Sequence, residues 1–532
     1  MPLQVNDKII VKFKNMLKSI YKWHRYISLI IALPVVMWAI SGFMHPIMTS
    51  FRPAMATQFL MPRPIDTSKL AVTLQQALRQ NKIDTLQQFR IVRIDTHYFY
   101  QVVVNTGKPA LYLSATTGEH LHNGDALYAQ YLAKQFLQGE RITNSEVVPT
   151  TTTDANCCDA ATACVLYDTV GASVASVDYT TTYTDEYKAI NRLLPVYKVA
   201  FKRKDGIRLY VQTHTDKFAY AVDDRRAMFD SFFTNFHTWA WLDFLGEARY
   251  WIEVVLMLLA LATTIMGLYI FFKTKSKHVL GSTLSRARRN HRYTSVAISI
   301  FTVMFTFSGA IHAFEKVRVP EGNSKLITGR FFTDSIVLDW QQLKQVVVKP
   351  ISNVQLVQIE GVNYWQVFTA SAKPTKPQRK DAMKDKVVPT PNAVYVHTNT
   401  YQILPQGELV YAKYLAKYYS MQPVDKITGV DTITKFAGEY GFINKRLPVF
   451  KVKYAHNNAE RYYVETSTGA LAAIINDIDL VDGYSFSILH KHHFLDAGGK
   501  ALRDFSTMFW AAAQVAMVAI GLWYWQKKYF KK

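Results

Sequence analysis

Four stretches of this chain contain no Asp, Glu, Lys or Arg: Tyr26–Phe51, Val254–Phe272, Tyr293–Phe314 and Phe505–Trp525. Each is close to the ~20 residues a helix needs to cross the hydrocarbon of a bilayer. Hydrophobic residues make up an ordinary 49% of the chain, so their bunching, rather than their number, is the signal. A helix buried in a soluble core more often shows a polar stripe. The pattern predicts a membrane α-helical protein with four transmembrane helices.

The 532 residues carry a formal charge of +22. Residues 1–25, 273–292 and 526–532 contain 6, 7 and 4 Lys plus Arg, and their only acid is Asp7, so they supply +16 of it. All three flank predicted spans, which is the positive-inside pattern. The charge therefore orients the chain and calls for no nucleic acid. Both termini and the 273–292 loop are predicted to be cytoplasmic. The organisation follows: 1–51, cytoplasmic N-terminus and first span; 52–249, an outer region; 250–272, second span; 273–292, cytoplasmic loop; 293–314, third span; 315–504, second outer region; 505–532, fourth span and tail.

The first span has a basic front and a small-residue Ala54-Met55-Ala56 behind it, as a cleaved signal would. Its apolar run exceeds the usual 7–15 residues of such a signal, and a second copy of it occurs inside the chain, so it is predicted to stay. Cysteine is confined to "NCCDAATAC", as Cys157, Cys158 and Cys164. Their segment faces an oxidising compartment on this topology, which allows one disulfide and one free thiol. There is no C-x-x-C-H for covalent haem and no G-x-G-x-x-G for a dinucleotide.

The chain is written twice. "HRYISLIIALPVVMWAISGFMH" and "HRYTSVAISIFTVMFTFSGAIH" match at an offset of 267, taking His24 to His291 and His45 to His312. "YAQYLAKQF" recurs as "YAKYLAKYY" at 283, and "NRLLPVYKV" as "NKRLPVFKV" at 253. The last offset also takes His237 of "NFHTWAWLDFLG" to His490 of "ILHKHHFLDAGG". The shifts fit an extra charged loop, "SAKPTKPQRKDAMKDK", in the second copy and a Thr-rich, cysteine-bearing insert in the first. Each half crosses the membrane twice, so the halves are predicted to be parallel, related by an axis along the membrane normal.

Both outer regions read as α+β. "SKLAVTLQQALRQN" is a short amphipathic helix, followed by strands in "FRIVRID", "FYQVVVN" and "ALYLSATTGEHL". "DWQQLKQVVV", "VQLVQIE", "YWQVFTA" and "AVYVHTN" repeat that order. A second three-strand unit follows in each half, from "LPVYKVAF" to "FAYAVDD" and from "LPVFKVKY" to "LAAIIND".

Histidine at membrane depth needs a reason. His24 and His45 are twenty-one residues apart, which on a straight helix is ~31 Å and nearly whole turns, so one helix offers an imidazole at each membrane boundary. A parallel second copy brings His291 level with His24, and His312 level with His45. Paired imidazoles hold haem b without a covalent link. Of the remaining candidates, His492 and His493 have no counterpart in the first half and read as structural. Trp23, Trp251 and Trp523 read as interfacial anchors, and Glu253 as either a snorkelling acid or a proton group.

With "WHRYIS…AISGFMH", "NHRYTS…TFSGAIH", the return segments "FHTWAWLDFLG…MGLYIFFK" and "ILHKHHF…IGLWYWQ", and outer units ending "YLSATTGEHL", the sequence resembles the PepSY-associated transmembrane family over nearly its whole length. That resemblance implies an iron-regulated inner-membrane protein like the ferric-siderophore reductases, with haem b on membrane histidines. The family histidines match His24 and His291, His45 and His312, and His237 and His490. The resulting expectation is an electron carrier, a ferric reductase-type oxidoreductase with two haems. His24 and His291 hold the inner one, and two of His45, His312, His237 and His490 hold the outer one. The partners are membrane lipid, a ferric siderophore or other ferric chelate on the periplasmic side, and a quinol or cytoplasmic electron donor. The rival readings are a non-redox siderophore or metal transporter, for which four spans leave little room, and an outer-domain peptidase regulator, which leaves the membrane histidines unexplained.

Overall fold

The structure is a computed structural model. It describes residues 3–60, 62–138, 173–275, 281–318, 326–370 apart from 328, 388–441 apart from 389 and 391, 444–455 and 459–530, with side chains from residue 15. Cys157, Cys158, Cys164 and the 371–386 insert lie outside the described residues. Helices are numbered α1–α10 and strands β1–β16 along the chain. The chain forms two compact units, one of Met1–Arg52, Arg225–Glu321 and Ile478–Lys532, the other of Pro53–Asp224 and Gly322–Asp477.

The first unit is helical: α1 Leu3–Ser50, α4 Asp224–His237, α5 Ala248–Lys273, α6 Thr283–Arg318, α9 Asp477–Ser485 and α10 Gly499–Tyr529. Among the described residues, four stretches are long and apolar enough to cross a membrane: Asn15–Ser50, Ala248–Lys273, Thr283–Val317 and His493–Tyr529. Each overlaps one of the uncharged windows and contains all of it but Phe51 of the first, and large apolar side chains such as Leu33, Ile300 and Phe505 stand exposed on their outer faces. This is a multi-pass membrane protein. α1, α5, α6 and α10 close a ring in which each packs on two neighbours. Small residues permit the approach: at Gly309 of α6 a methyl group would sit 3.1 Å from Met257 of α5. On α5 the buried residues Arg249, Glu253, Ala260, Thr263 and Ile270 recur at helical spacing and form one inward face. α4 and α9, with the turns that follow them, fold into this unit although the sequence groups them with the outer regions.

The second unit is α+β. The helix α2, Leu74–Gln80, begins at a Thr73–Gln76 capping box and precedes an antiparallel sheet of β2 Gln88–Ile94, β3 His97–Val103 and β4 Leu111–Ser114. The second half repeats this with α7, Trp340–Val346, capped by Asp339, and β10 Ile351–Ile359, β11 Val362–Thr369 and β12 Val394–His397. The two sheets share one core that includes Phe89, Tyr100, Val354 and Trp365. They are tied by the Asn353 amide, which bonds both backbone groups of Ile91 at 3.0 and 3.1 Å. A short antiparallel pair, β1 Thr85–Leu86 with β9 Phe331–Phe332, links the halves again.

Helix α3, Gly124–Gln138, packs on the sheet β5 Val174–Thr180, β6 Val196–Phe201, β7 Arg208–Gln212 and β8 Lys217–Val222. Helix α8, Gly407–Ser420, packs on β13 Ile427–Ile433, β14 Val449–Tyr454, β15 Arg461–Glu465 and β16 Ala470–Ile475. These sheets have four strands where three are predicted. The added β5 and β13 are edge strands with no buried residue, so they lack the apolar alternation that reveals a strand. Buried polar networks recur at the offset positions. Gln101 bonds the Tyr112 hydroxyl and the Thr213 carbonyl at 2.5 and 3.1 Å; Gln366 bonds Tyr395 and the Thr466 carbonyl at 2.7 and 2.9 Å.

The buried cluster around Glu465 has no counterpart in the first half. The Glu465 carboxylate accepts from Lys217 at 2.5 Å and from Arg446 and Thr468 at 2.6 Å, joining the halves. Gln212 stands at its matched position. Burial alone would raise the Glu465 carboxyl, but Lys217 and Arg446 outweigh it and hold it down to about 2. Because the folded-state value is depressed, this stability is complete above the ordinary glutamate range near pH ~4.3 and lost as pH falls through about 2. Glu465→Ala, which removes the anion that Lys217 and Arg446 share, is expected to destabilise the second unit by about 3–5 kcal/mol. Urea titration of the full chain in detergent checks this, and a change below ~1 kcal/mol would contradict it.

Candidate functional site

The six matched histidines all lie in the helical unit, at its two ends. His24 and His291 lie toward the end where α1 and α6 begin. His24 Nδ1 is 3.1 Å from the Thr263 carbonyl of α5. A carbonyl only accepts, so Nδ1 carries the proton and Nε2 keeps a bare lone pair. The ring lies over Gly267, where a methyl group would meet its Cε1 at 3.3 Å. His291 of α6 sits in the same way over Gly521 of α10, 3.2 Å from the corresponding point.

The arginine after each histidine binds the other return helix. Arg25 reaches the Tyr529 hydroxyl of α10. Arg292 donates to the Phe271 and Thr274 carbonyls at 2.9 and 2.7 Å and to the Thr274 hydroxyl at 2.6 Å, closing the last turn of α5. Each His-Arg pair thus spans α5 and α10 in opposite senses, which gives the doubled motif a mechanical use.

At the other end four histidines and two phenylalanines form one string of rings. His45 is 5.2 Å from Phe233 between centroids, and Phe233 stacks on His237 at 4.5 Å. His237 meets His490 edge-on at 6.0 Å. His490 stacks on Phe486 at 5.0 Å, and Phe486 on His312 at 4.8 Å. The string maps onto itself under the offsets of 267 and 253, with the His237–His490 contact at its centre.

The partners on either side differ. The Ser41 hydroxyl donates back to the carbonyls of Met37 and Trp38 at 2.7 and 3.0 Å. With that proton on a carbonyl, its oxygen accepts from His237 Nδ1, 3.0 Å away, and His237 Nε2 is left bare. In the second half Ser308 Oγ and His490 Nδ1 are both buried with no hydrogen-bond partner among the described residues. His312 Nδ1 bonds the Asp482 carboxylate at 3.2 Å. His45 has the Lys491 ammonium 3.1 and 3.2 Å from its two nitrogens, which places the cation over the ring.

His492 takes the place of Trp239. Both have left-handed backbone, φ 53° and 47°. His492 stacks on Phe305 at 5.3 Å as Trp239 stacks on Trp38 at 5.1 Å. His493 pairs with Asp496 at 2.7 Å on the surface. Glu253 is buried on the inward face of α5, and its Oε1 has no partner among the described residues. No group of three or more His, Cys, Asp or Glu side chains among the described residues is arranged to hold a metal ion.

Sequence reasoning missed Ser41, Thr263, Gly267, Gly521, Phe233, Phe486, Asp482 and Lys491. Ser41 with Ser308, Phe233 with Phe486 and Gly267 with Gly521 recur at offsets of 267, 253 and 254, so the duplication held the signal for them. Asp482 and Lys491 face Phe229 and Thr238 in the same alignment and left none.

A ring of four membrane helices with α+β segments inserted after its first and third members defines a class of membrane protein. A family model described as the PepSY-associated TM region matches residues 21–528. The chain belongs to that family. A search of curated proteins gives no match.

The glycines under His24 and His291 make a direct check on this packing. Gly267→Val and Gly521→Val must displace an imidazole and are each expected to lower stability by about 1–3 kcal/mol. Gly42→Ala, where nothing lies within 4 Å of the added methyl, is expected to be neutral or stabilising by up to ~1 kcal/mol. Thermal unfolding in detergent reads all three, and equal effects would contradict the described contacts.

Proposed function

We propose that this chain carries electrons across the inner membrane on haem b and reduces a ferric chelate of the siderophore class on the far side. The observation that supports this is the symmetric ring string, centred on two imidazoles that face each other across the two halves. His24 and His291 would hold one haem, His237 and His490 the other, and His45 and His312 are left to their polar partners. The residues present fit such a group. His24 and His237 have Nδ1 bonded to acceptors and Nε2 bare, and Gly267 and Gly521 leave room for the Cε1 edges of His24 and His291. His490 Nδ1 and Ser308 Oγ are buried and unpaired.

Bound haem b supplies a one-electron iron couple, and the protein's part is to hold and tune it. The Thr263 carbonyl and the Ser41 hydroxyl fix the tautomer and direction of their imidazoles, as outer partners of metal-bound histidines do. Trp38, Trp239, Phe305 and His492 wall the second pair from water. In this reading the halves are parallel repeats, the basic segments face the cytoplasm, and Pro53–Asp224 and Gly322–Asp477 lie in the periplasm. Reduction of the substrate from Fe(III) to Fe(II) weakens hard oxygen chelation and frees iron for uptake. The sequence carries no flavin or nicotinamide motif, so the electron comes from a quinol or a separate protein.

Single alanine substitutions test the pairing. His24→Ala and His291→Ala are expected to remove the same share of the visible absorption, His237→Ala and His490→Ala the other share, and His492→Ala none. Spectra of dithionite-reduced protein read this. Loss of different shares by His24→Ala and His291→Ala would break the proposed pairing.

A further inference from the structure

Lys491 is the residue the proposed function does not use. Its ammonium is half-buried, rests 5.4 Å from the centre of the Phe486 ring, and touches His45. No carboxylate among the described residues lies within ion-pair distance of it. The acid that acts on it from farther away, Asp504, is engaged by Lys500 and Arg503. Arg52 and Arg226 add positive charge around His45. Arg226 is already bonded to Asp230 and to the Met48 carbonyl at 2.9 and 2.8 Å. An ammonium withdrawn from water without an anion is unfavourable unless an anion arrives.

We propose that Lys491 and His45 form a carboxylate-binding site at this end of the helical unit. The chemistry is specific. The ammonium is nearly equidistant from the two His45 nitrogens, 3.2 and 3.1 Å, so it lies over the ring and claims neither in-plane nitrogen position. The site then presents an imidazole N–H and the ammonium N–H groups, donors for the two oxygens of one carboxylate. Two sources carry that group here: a haem propionate, which rests on the haem reading and on His490 beside Lys491, or a carboxylate arm of the ferric chelate. The matched residue in the first half is Thr238, so the site occurs once.

The test uses full-length Lys491→Met and Lys491→Gln in detergent, with Lys491→Arg as the charge-preserving control. Haem content is measured first and judges the functional reading by itself. Midpoint potentials and dissociation constants for ferric citrate and for a neutral ferric trihydroxamate are then compared with wild type. A shift of one haem to lower potential with both affinities unchanged assigns the site to a propionate. Ferric citrate bound roughly tenfold more weakly, with the trihydroxamate and the potentials unchanged, assigns it to the chelate. In both cases Lys491→Arg recovers most of the effect. Unchanged potentials and affinities in both neutral variants overturn the site. If the wild-type protein proves to hold no haem, the functional reading fails and the citrate titration alone decides the site.

Discussion

A neutral imidazole inside an apolar bundle brings one N–H and one lone pair, and helices can satisfy only the first. Their free groups in mid-membrane are carbonyls and back-bonded hydroxyls, which accept. The histidines follow this limit. Thr263 and Ser41 take the Nδ1 protons of His24 and His237, and the Nε2 lone pairs are left facing the bundle. Much of the bundle's local chemistry follows from holding those rings. Gly267 and Gly521 make room for two of them, and the arginines beside those two tie the helix ends together. The Trp38 indole donates to the His237 carbonyl at 3.1 Å and fixes the turn that brings α4 in.

The two halves use this scheme unequally. Ser41 engages His237, while Ser308 and His490 remain apart. Thr302 and Gln514 hydrogen-bond at 2.8–3.0 Å inside the second half, where the first has Val35 and Ala260 at the matched positions. Asp482 and Lys491 place an anion beside His312 and a cation beside His45. In the α+β unit, Glu465 with its two cations replaces Gln212. The last three differences add polarity or charge to the second half, while the first half pairs buried Arg90 with Asp216 where the second has Gln355 and Gly469.

The four spans were legible because charge is excluded from them, and the histidines because they recur at fixed offsets. The strands from Phe89 to Ser114 and from Val354 to His397 were legible because one face is apolar and the turns are marked. Three things were not. The edge strands Val174–Thr180 and Ile427–Ile433 have no fully buried residue, so their periodicity is weak. The segments after Asp224 and Asp477 mix aromatic, charged and small residues, and nothing local says that they join the helical unit. Which return helix each histidine touches is a matter of packing between residues some 240 positions apart. Only a three-dimensional arrangement puts Thr263 under His24.

The central claim is that imidazole pairs on facing helices hold haem without a covalent bond. Acid-acetone extraction of the detergent-purified protein, with the extracted pigment counted against protein, tests it most directly. Two extractable haems b per chain is the predicted result. A colourless protein from haem-replete cells, or pigment that stays with the polypeptide, would contradict the account.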